Sequence, residues 1–135
     1  MYLKTCKKGE ILFRQGDVEE WMYYIHQGKV GIFIAYGTEN EQKVEELFSD
    51  QFVGDMGLLN DEPRSATAVT LENETVLEML KEEEFETFFK ENPSRVFQLM
   101  GQLSHRLRRT TRNYLDACKT AYNLVEKEKA AQADA

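Results

Sequence analysis

The chain has 135 residues with a formal net charge of −7, 41% of them hydrophobic and 30% charged. That length fits one domain around one core, and the composition is that of a globular protein rather than a disordered one. The acidic balance argues against a direct nucleic-acid binder. No apolar run reaches the roughly 18–20 residues of a bilayer span and no secretory leader pattern follows Met1, so neither nucleic acid nor membrane is an expected partner and the expected setting is the cytoplasm.

Along the first 80 residues, short apolar stretches alternate with turn residues. Ile11-Leu12-Phe13 precedes Gln15-Gly16-Asp17, and Trp21 to Ile25 precedes Gln27-Gly28; then come Val30 to Ile34, Val44 to Phe48, Ala66 to Leu71 and Thr75 to Leu80. Strands at this spacing, broken by Gly, Asn and Asp, predict an antiparallel β barrel or sandwich. The aromatic and branched residues of Trp21-Met22-Tyr23-Tyr24-Ile25 favour a strand over a helix. Gly16 and Gly28 stand where a chain reversal needs positive φ. Cys6 and Cys118 lie far apart with no CxxC spacing, so they read as reduced thiols rather than a disulfide or a metal site.

After Leu80 the pattern changes. Lys81 to Lys90 is charged, with Phe85, Phe88 and Phe89 at helical spacing, and predicts a short amphipathic helix ending near Asn92-Pro93. A second helix is expected from Ser94 to about Lys129, which at ~1.5 Å per residue spans about 50 Å. Along it Val96, Met100, Leu103, Leu107, Thr110, Tyr114, Ala117, Ala121 and Leu124 alternate four and three apart. That a/d seam predicts a homodimer through residues 94–129, the alternative being a helix that packs only on its own barrel. The tail from Ala130 to Ala135 is expected to fray.

The chemistry concentrates in Phe52-Val53-Gly54-Asp55-Met56-Gly57-Leu58-Leu59-Asn60-Asp61-Glu62-Pro63-Arg64-Ser65-Ala66-Thr67. A strand ends at Gly54, where the missing side chain lets backbone approach a ligand. Asp55 is placed to cap a one-turn helix through Leu59, whose free amides around Gly54, Asp55 and Met56 form an anion site. Pro63 stiffens the return, Arg64 brings a fork that matches two phosphate oxygens, and Ser65 adds a hydroxyl. Singly, such an arginine reads as a surface charge and such a glycine as a turn. The complete string points to a phosphate cradle.

This string resembles the phosphate-binding cassette of the cyclic-nucleotide-binding domains, in which Phe-Gly-Glu-hydrophobic-small-Leu is followed some residues on by Arg-(Ala/Ser/Thr)-Ala. Gly9-Glu10 with Gln15-Gly16-Asp17 resembles the opening hairpin of that family. Tyr24-Ile25 through Gly28-Lys29-Val30 is similar to its next strand pair, and Asn92-Pro93 to the helix entry of its catabolite activator branch. The resemblance implies an antiparallel β jelly-roll barrel over about 1–80, then a short helix and a long dimerisation helix over about 81–129, in one domain spanning 1–135. It implies that Arg64 and Ser65 hold the phosphate of a cyclic nucleotide, cAMP in that branch. It places Asp55 on the ribose 2′-hydroxyl, Thr110 and Thr111 on the base, Arg106 toward the acidic residue, and Ile32 and Val44 on the apolar wall beside the base.

Two features depart from the family pattern. The ribose carboxylate is Asp55 rather than Glu, shorter by about 1.5 Å, and a lost hydrogen bond of that kind costs about 1–3 kcal/mol when its partner is buried. No helix-turn-helix pattern follows the long helix, and the helices that commonly precede the first strand are missing. The arginines among His105-Arg106-Leu107-Arg108-Arg109 and Arg112 read as seam-flanking or pocket-facing rather than DNA-reading. With only His26 and His105 and no His-x-His, a metal-dependent jelly-roll enzyme is not expected, nor is a Gly-x-Ser-x-Gly nucleophile present. Glu82-Glu83-Glu84 reads as a solvated face. The expectation is a non-catalytic sensor of a cyclic nucleotide that signals through its long helix to an effector protein; the alternative is a jelly-roll dimerisation module that no longer binds nucleotide.

Overall fold

A computed structural model describes residues 1–18, 21–54 and 63–133 of the protein. Met1–Leu99 form one compact unit and Met100–Ala135 a second. The first holds strands β1 (Tyr2–Cys6), β2 (Ile11–Phe13), β3 (Trp21–Gln27), β4 (Val30–Ile34), β5 (Gln42–Leu47), β6 (Phe52–Val53), β7 (Thr67–Thr70) and β8 (Thr75–Lys81). Their pairings are antiparallel and make two sheets, ordered β1-β8-β3-β6 and β2-β7-β4-β5. A 3-10 turn at Glu82–Glu84, a short helix α1 (Phe85–Glu91) and a long helix α2 (Pro93–Ala133) follow. The architecture is the expected β jelly roll with C-terminal helices.

The core shows why β3 is apolar from Trp21 through Ile25 rather than alternating. Tyr23 and Ile25 point between the sheets, where Cys6, Val53, Leu77 and Met79 of the first sheet meet Leu12, Phe13, Val30, Leu47 and Ala68 of the second. Met22 and Tyr24 point the other way and pack with Phe52, Leu80 and Phe88, backed by Phe85, Phe89 and Leu99. A strand covered on both faces reads as a continuous hydrophobic run. Each such large side chain, fully buried, contributes on the order of 1.5–3 kcal/mol.

Several boundaries differ from the sequence reading for identifiable reasons. β1 is mostly exposed and carries little periodicity of its own; it exists because Tyr2 to Cys6 ladder onto Met79 to Thr75. Lys81 is the last residue of β8, opposite Trp21, and the helix expected from Lys81 divides into the 3-10 turn and α1. β5 runs Gln42–Leu47 rather than Val44–Phe48, and β7 runs Thr67–Thr70. The long helix starts at Pro93, whose missing N–H costs nothing in the first turn, and its alanine-rich end remains helical through Ala133 instead of fraying from Ala130. Gly16 and Gly28 have φ of +92° and +98°. At Gly28 a Cβ would fall 2.8 Å from the Cα of Thr75, so no other residue fits that turn.

Candidate functional site

The site in the first unit is built around Arg64. This side chain is only 4% exposed, an unusual state for an arginine. Its main chain is pinned to the β2–β3 connection from both sides: Arg64 N–H donates to Asp17 O at 2.7 Å, and Gly16 N–H donates to Arg64 O at 2.8 Å. That connection is itself ordered, because the Asp17 carboxylate accepts from Arg14 N–H at 2.9 Å and Thr67 Oγ1 accepts from Gln15 N–H at 2.9 Å. The turn therefore fixes where the guanidinium starts.

The head group is held by main chain and by an aromatic ring. Arg64 Nη1 donates to Gly54 O and Nη2 donates to Trp21 O. The guanidinium carbon lies 4.4 Å from the centroid of Phe13, a cation–π contact. Gly54 follows β6 with φ of +81°, and a Cβ there would meet Arg64 Nη1 at 2.7 Å. Glycine at 54 is thus required both by its backbone angle and by the arginine packed against it. Two carbonyls and a ring face hold the fork, whose planar donor set matches two oxygens of an anion.

The other expected residues are placed as follows. Ser65, next to Arg64, is exposed. Ile32 packs against the inter-sheet core, opposite Glu45. Val44 is 39% exposed and occupies a β-bulge, the ladder passing from Ile32–Glu45 to Phe33–Lys43. Asp55 and Met56, with the one-turn helix expected through Leu59, lie outside the described residues. Arg106, Thr110 and Thr111 belong to the second unit, where Thr110 and Thr111 are exposed and Arg106 is half-buried. The structure therefore brings Gly54 and Arg64 together and adds three groups that the sequence did not single out: Phe13, Asp17 and the Trp21 carbonyl. They lie 43 to 51 residues from Arg64 in the chain, and no local pattern joins them.

A second polar cluster sits on the outer face of the β1-β8-β3-β6 sheet. The Tyr24 hydroxyl donates to Asp50 Oδ1 at 2.5 Å, and the Arg95 guanidinium stacks 4.1 Å from the Tyr24 ring and 5.0 Å from Phe88. Arg95 also bridges to Glu78 at 3.4 Å. Burial, and then the bond to Asp50, push the Tyr24 hydroxyl up to about 12. This cluster fastens the first turn of α2 to the sheet.

A family model described as "Cyclic nucleotide-binding domain" matches residues 3–92. The chain belongs to that family. Among curated relatives of this cyclic nucleotide-binding domain, the cyclic AMP receptor protein of Thermus thermophilus is 30% identical over 101 residues, 75% of this chain and 46% of that protein. The cAMP-dependent protein kinase regulatory subunit of Blastocladiella emersonii is 28% identical, over 68% of this chain and 23% of that one. The solved structure of the Thermus thermophilus catabolite activator protein superposes with a TM-score of 0.66 at 29% identity, covering 81% of this chain and 51% of the other. The chain spans about half the length of that receptor or less of its other relatives. Among the described residues no helix is long and apolar enough to cross a membrane.

Proposed function

We propose that this cyclic nucleotide-binding domain is a non-catalytic cytoplasmic sensor for cAMP that signals through α2. The phosphate binds the Arg64 fork and the Ser65 hydroxyl beside Gly54, Asp55 and Met56. The ribose 2′-hydroxyl meets Asp55, the base meets Thr110 and Thr111 with Arg106 nearby, and Ile32 and Val44 supply apolar contact. The observation that supports this most is the burial of Arg64 and its aim across Gly54.

A cyclic phosphate offers the guanidinium two anionic oxygens in the geometry of its fork, and a hydrogen bond to a charged group contributes about 1.5–3 kcal/mol. Because the base contacts assigned to Thr110 and Thr111 lie on the long helix, ligand binding biases the arrangement of that helix, which in a homodimer through residues 94–129 is an output readable by an effector protein.

Trp21 offers the direct test, since it is the single tryptophan and its carbonyl accepts from Arg64. Titration with cAMP, cGMP and 2′-deoxy-cAMP should change its fluorescence saturably. cAMP should act at the lowest concentration and the deoxy analogue should be weaker. Equal response to cAMP and its 2′-deoxy form would remove the ribose role of Asp55. No response to any of them, with none bound by equilibrium dialysis, would leave only a dimerisation module.

A further inference from the structure

The second unit carries more apolar surface than one coiled-coil seam uses. At about 100° per residue, positions 110–126 of α2 sort into two halves of the helix. One half carries every charged side chain of the stretch: Arg112, Asp116, Lys119 and Glu126. The other half carries only apolar side chains and threonines, in two adjoining rows. The first row, from Thr110 through Tyr114 to Leu124, belongs to the dimer seam. The second lies one position further on and consists of Leu115, Cys118, Tyr122 and Val125. Leu115 is 60%, Tyr122 65% and Val125 49% exposed, and Cys118 is exposed as well.

A two-stranded coiled coil needs two apolar positions in seven, whereas four in seven are apolar or small here. One parallel partner covers the first row and leaves the second in water. A contiguous exposed apolar stripe bordered by charge marks an interaction surface.

We propose that the second row packs antiparallel against the same row of another copy, so that two parallel pairs join as a four-helix tetramer. The proposal rests on the dimer reading above for its first seam and adds an occupant for the second. Charge decides the occupant and its direction. In an antiparallel pair that layers Leu115 on the partner's Val125 and Cys118 on the partner's Tyr122, the outer edge brings Arg112 opposite the partner's Glu126. The two-fold axis repeats the contact, giving two attractive pairs. Lys119 meets the partner's Lys119 once, near the axis. In a parallel pair the same edge positions face Leu107, Tyr114 and Ala121, and no ion pair forms. Glu126 already lies 3.8 Å from Lys129 on its own helix, but both are well exposed and such a contact contributes little. On the inner edge Tyr114 and Ala121 join the two rows, as a four-helix core requires.

Sedimentation equilibrium of the full chain tests this. Wild type should sediment as a tetramer of 15.7 kDa chains. Tyr122→Glu should sediment as a dimer with unchanged helical circular dichroism and unchanged cAMP affinity. Arg112→Glu should shift the equilibrium toward dimer, and Arg112→Glu with Glu126→Arg should restore the tetramer, which only the antiparallel register explains. A wild type that stops at the dimer overturns this proposal and leaves the first seam intact, whereas a monomer overturns both. A tetramer that survives Tyr122→Glu, or a charge exchange that fails to restore it, also overturns the second seam.

Discussion

Replacing Gly54 by alanine separates backbone strain from disturbance of the arginine. The position has φ of +81°, and a Cβ there would stand 2.7 Å from Arg64 Nη1 and 3.2 Å from its Cζ. Left-handed backbone costs an ordinary residue about 1–2 kcal/mol. Gly37 has the matching angle, φ +82°, but a Cβ there meets nothing within 4 Å. Gly37→Ala therefore carries the conformational cost alone. Gly54→Ala carries the same cost and must also push the guanidinium off the Gly54 carbonyl. Gly37→Ala should lose about 1–2 kcal/mol of stability, roughly 4–8 °C in melting temperature, and Gly54→Ala should lose more. Only Gly54→Ala should lose nucleotide affinity, by about 10- to 100-fold if one charged hydrogen bond of about 1.5–3 kcal/mol is forfeited. Thermal melts and calorimetric titration with cAMP read the two effects. Equal affinity in Gly54→Ala and Gly37→Ala would refute the claim that Gly54 sets the arginine.

Other expectations follow from the second polar cluster and the thiols. Arg95→Ala removes the stack on Tyr24 and Phe88 and the Glu78 bridge, and should cost about 1–2 kcal/mol in urea unfolding. In the Tyr122→Glu dimer Cys118 should react with a thiol reagent at once, while Cys6, 1% exposed and pushed up to about 11 by burial and then by Glu10, should react only on unfolding. Stability should also fall in alkali. Cys6 and Tyr24 are both held above their ordinary values of 9.0 and 10.0, so they ionise more readily in the unfolded chain. Their contribution is complete below about pH 9 and is lost as the pH rises toward 11 and 12, which melts across that range will show.

The barrel was legible where the sequence punctuates itself. Gly16 and Gly28 mark reversals that need positive φ, and Asn92-Pro93 marks the break between the two helices. β1 was not legible, because Tyr2-Leu3-Lys4-Thr5-Cys6 gains its order from β8, some 70 residues away. Arg64 could be read as a candidate anion-binding group from its setting after Pro63, but the partners that bury it could not. Phe13, Asp17 and the Trp21 carbonyl reach it through pairing between distant strands, which no single segment encodes. Arg95 likewise looked like one charge among many in a helix start. Only the meeting of Tyr24, Phe88 and Glu78 gives it a role.

The measurement closest to the central claim is calorimetric titration of cAMP into wild type and Arg64→Ala, each shown by melting to be folded. An inward-facing arginine that binds phosphate predicts saturable heat from the wild type. In Arg64→Ala affinity should fall about 100-fold or more, as expected for two charge-assisted bonds. Wild-type protein that gives no heat with any cyclic nucleotide, or an Arg64→Ala protein that binds as tightly as wild type, would contradict it.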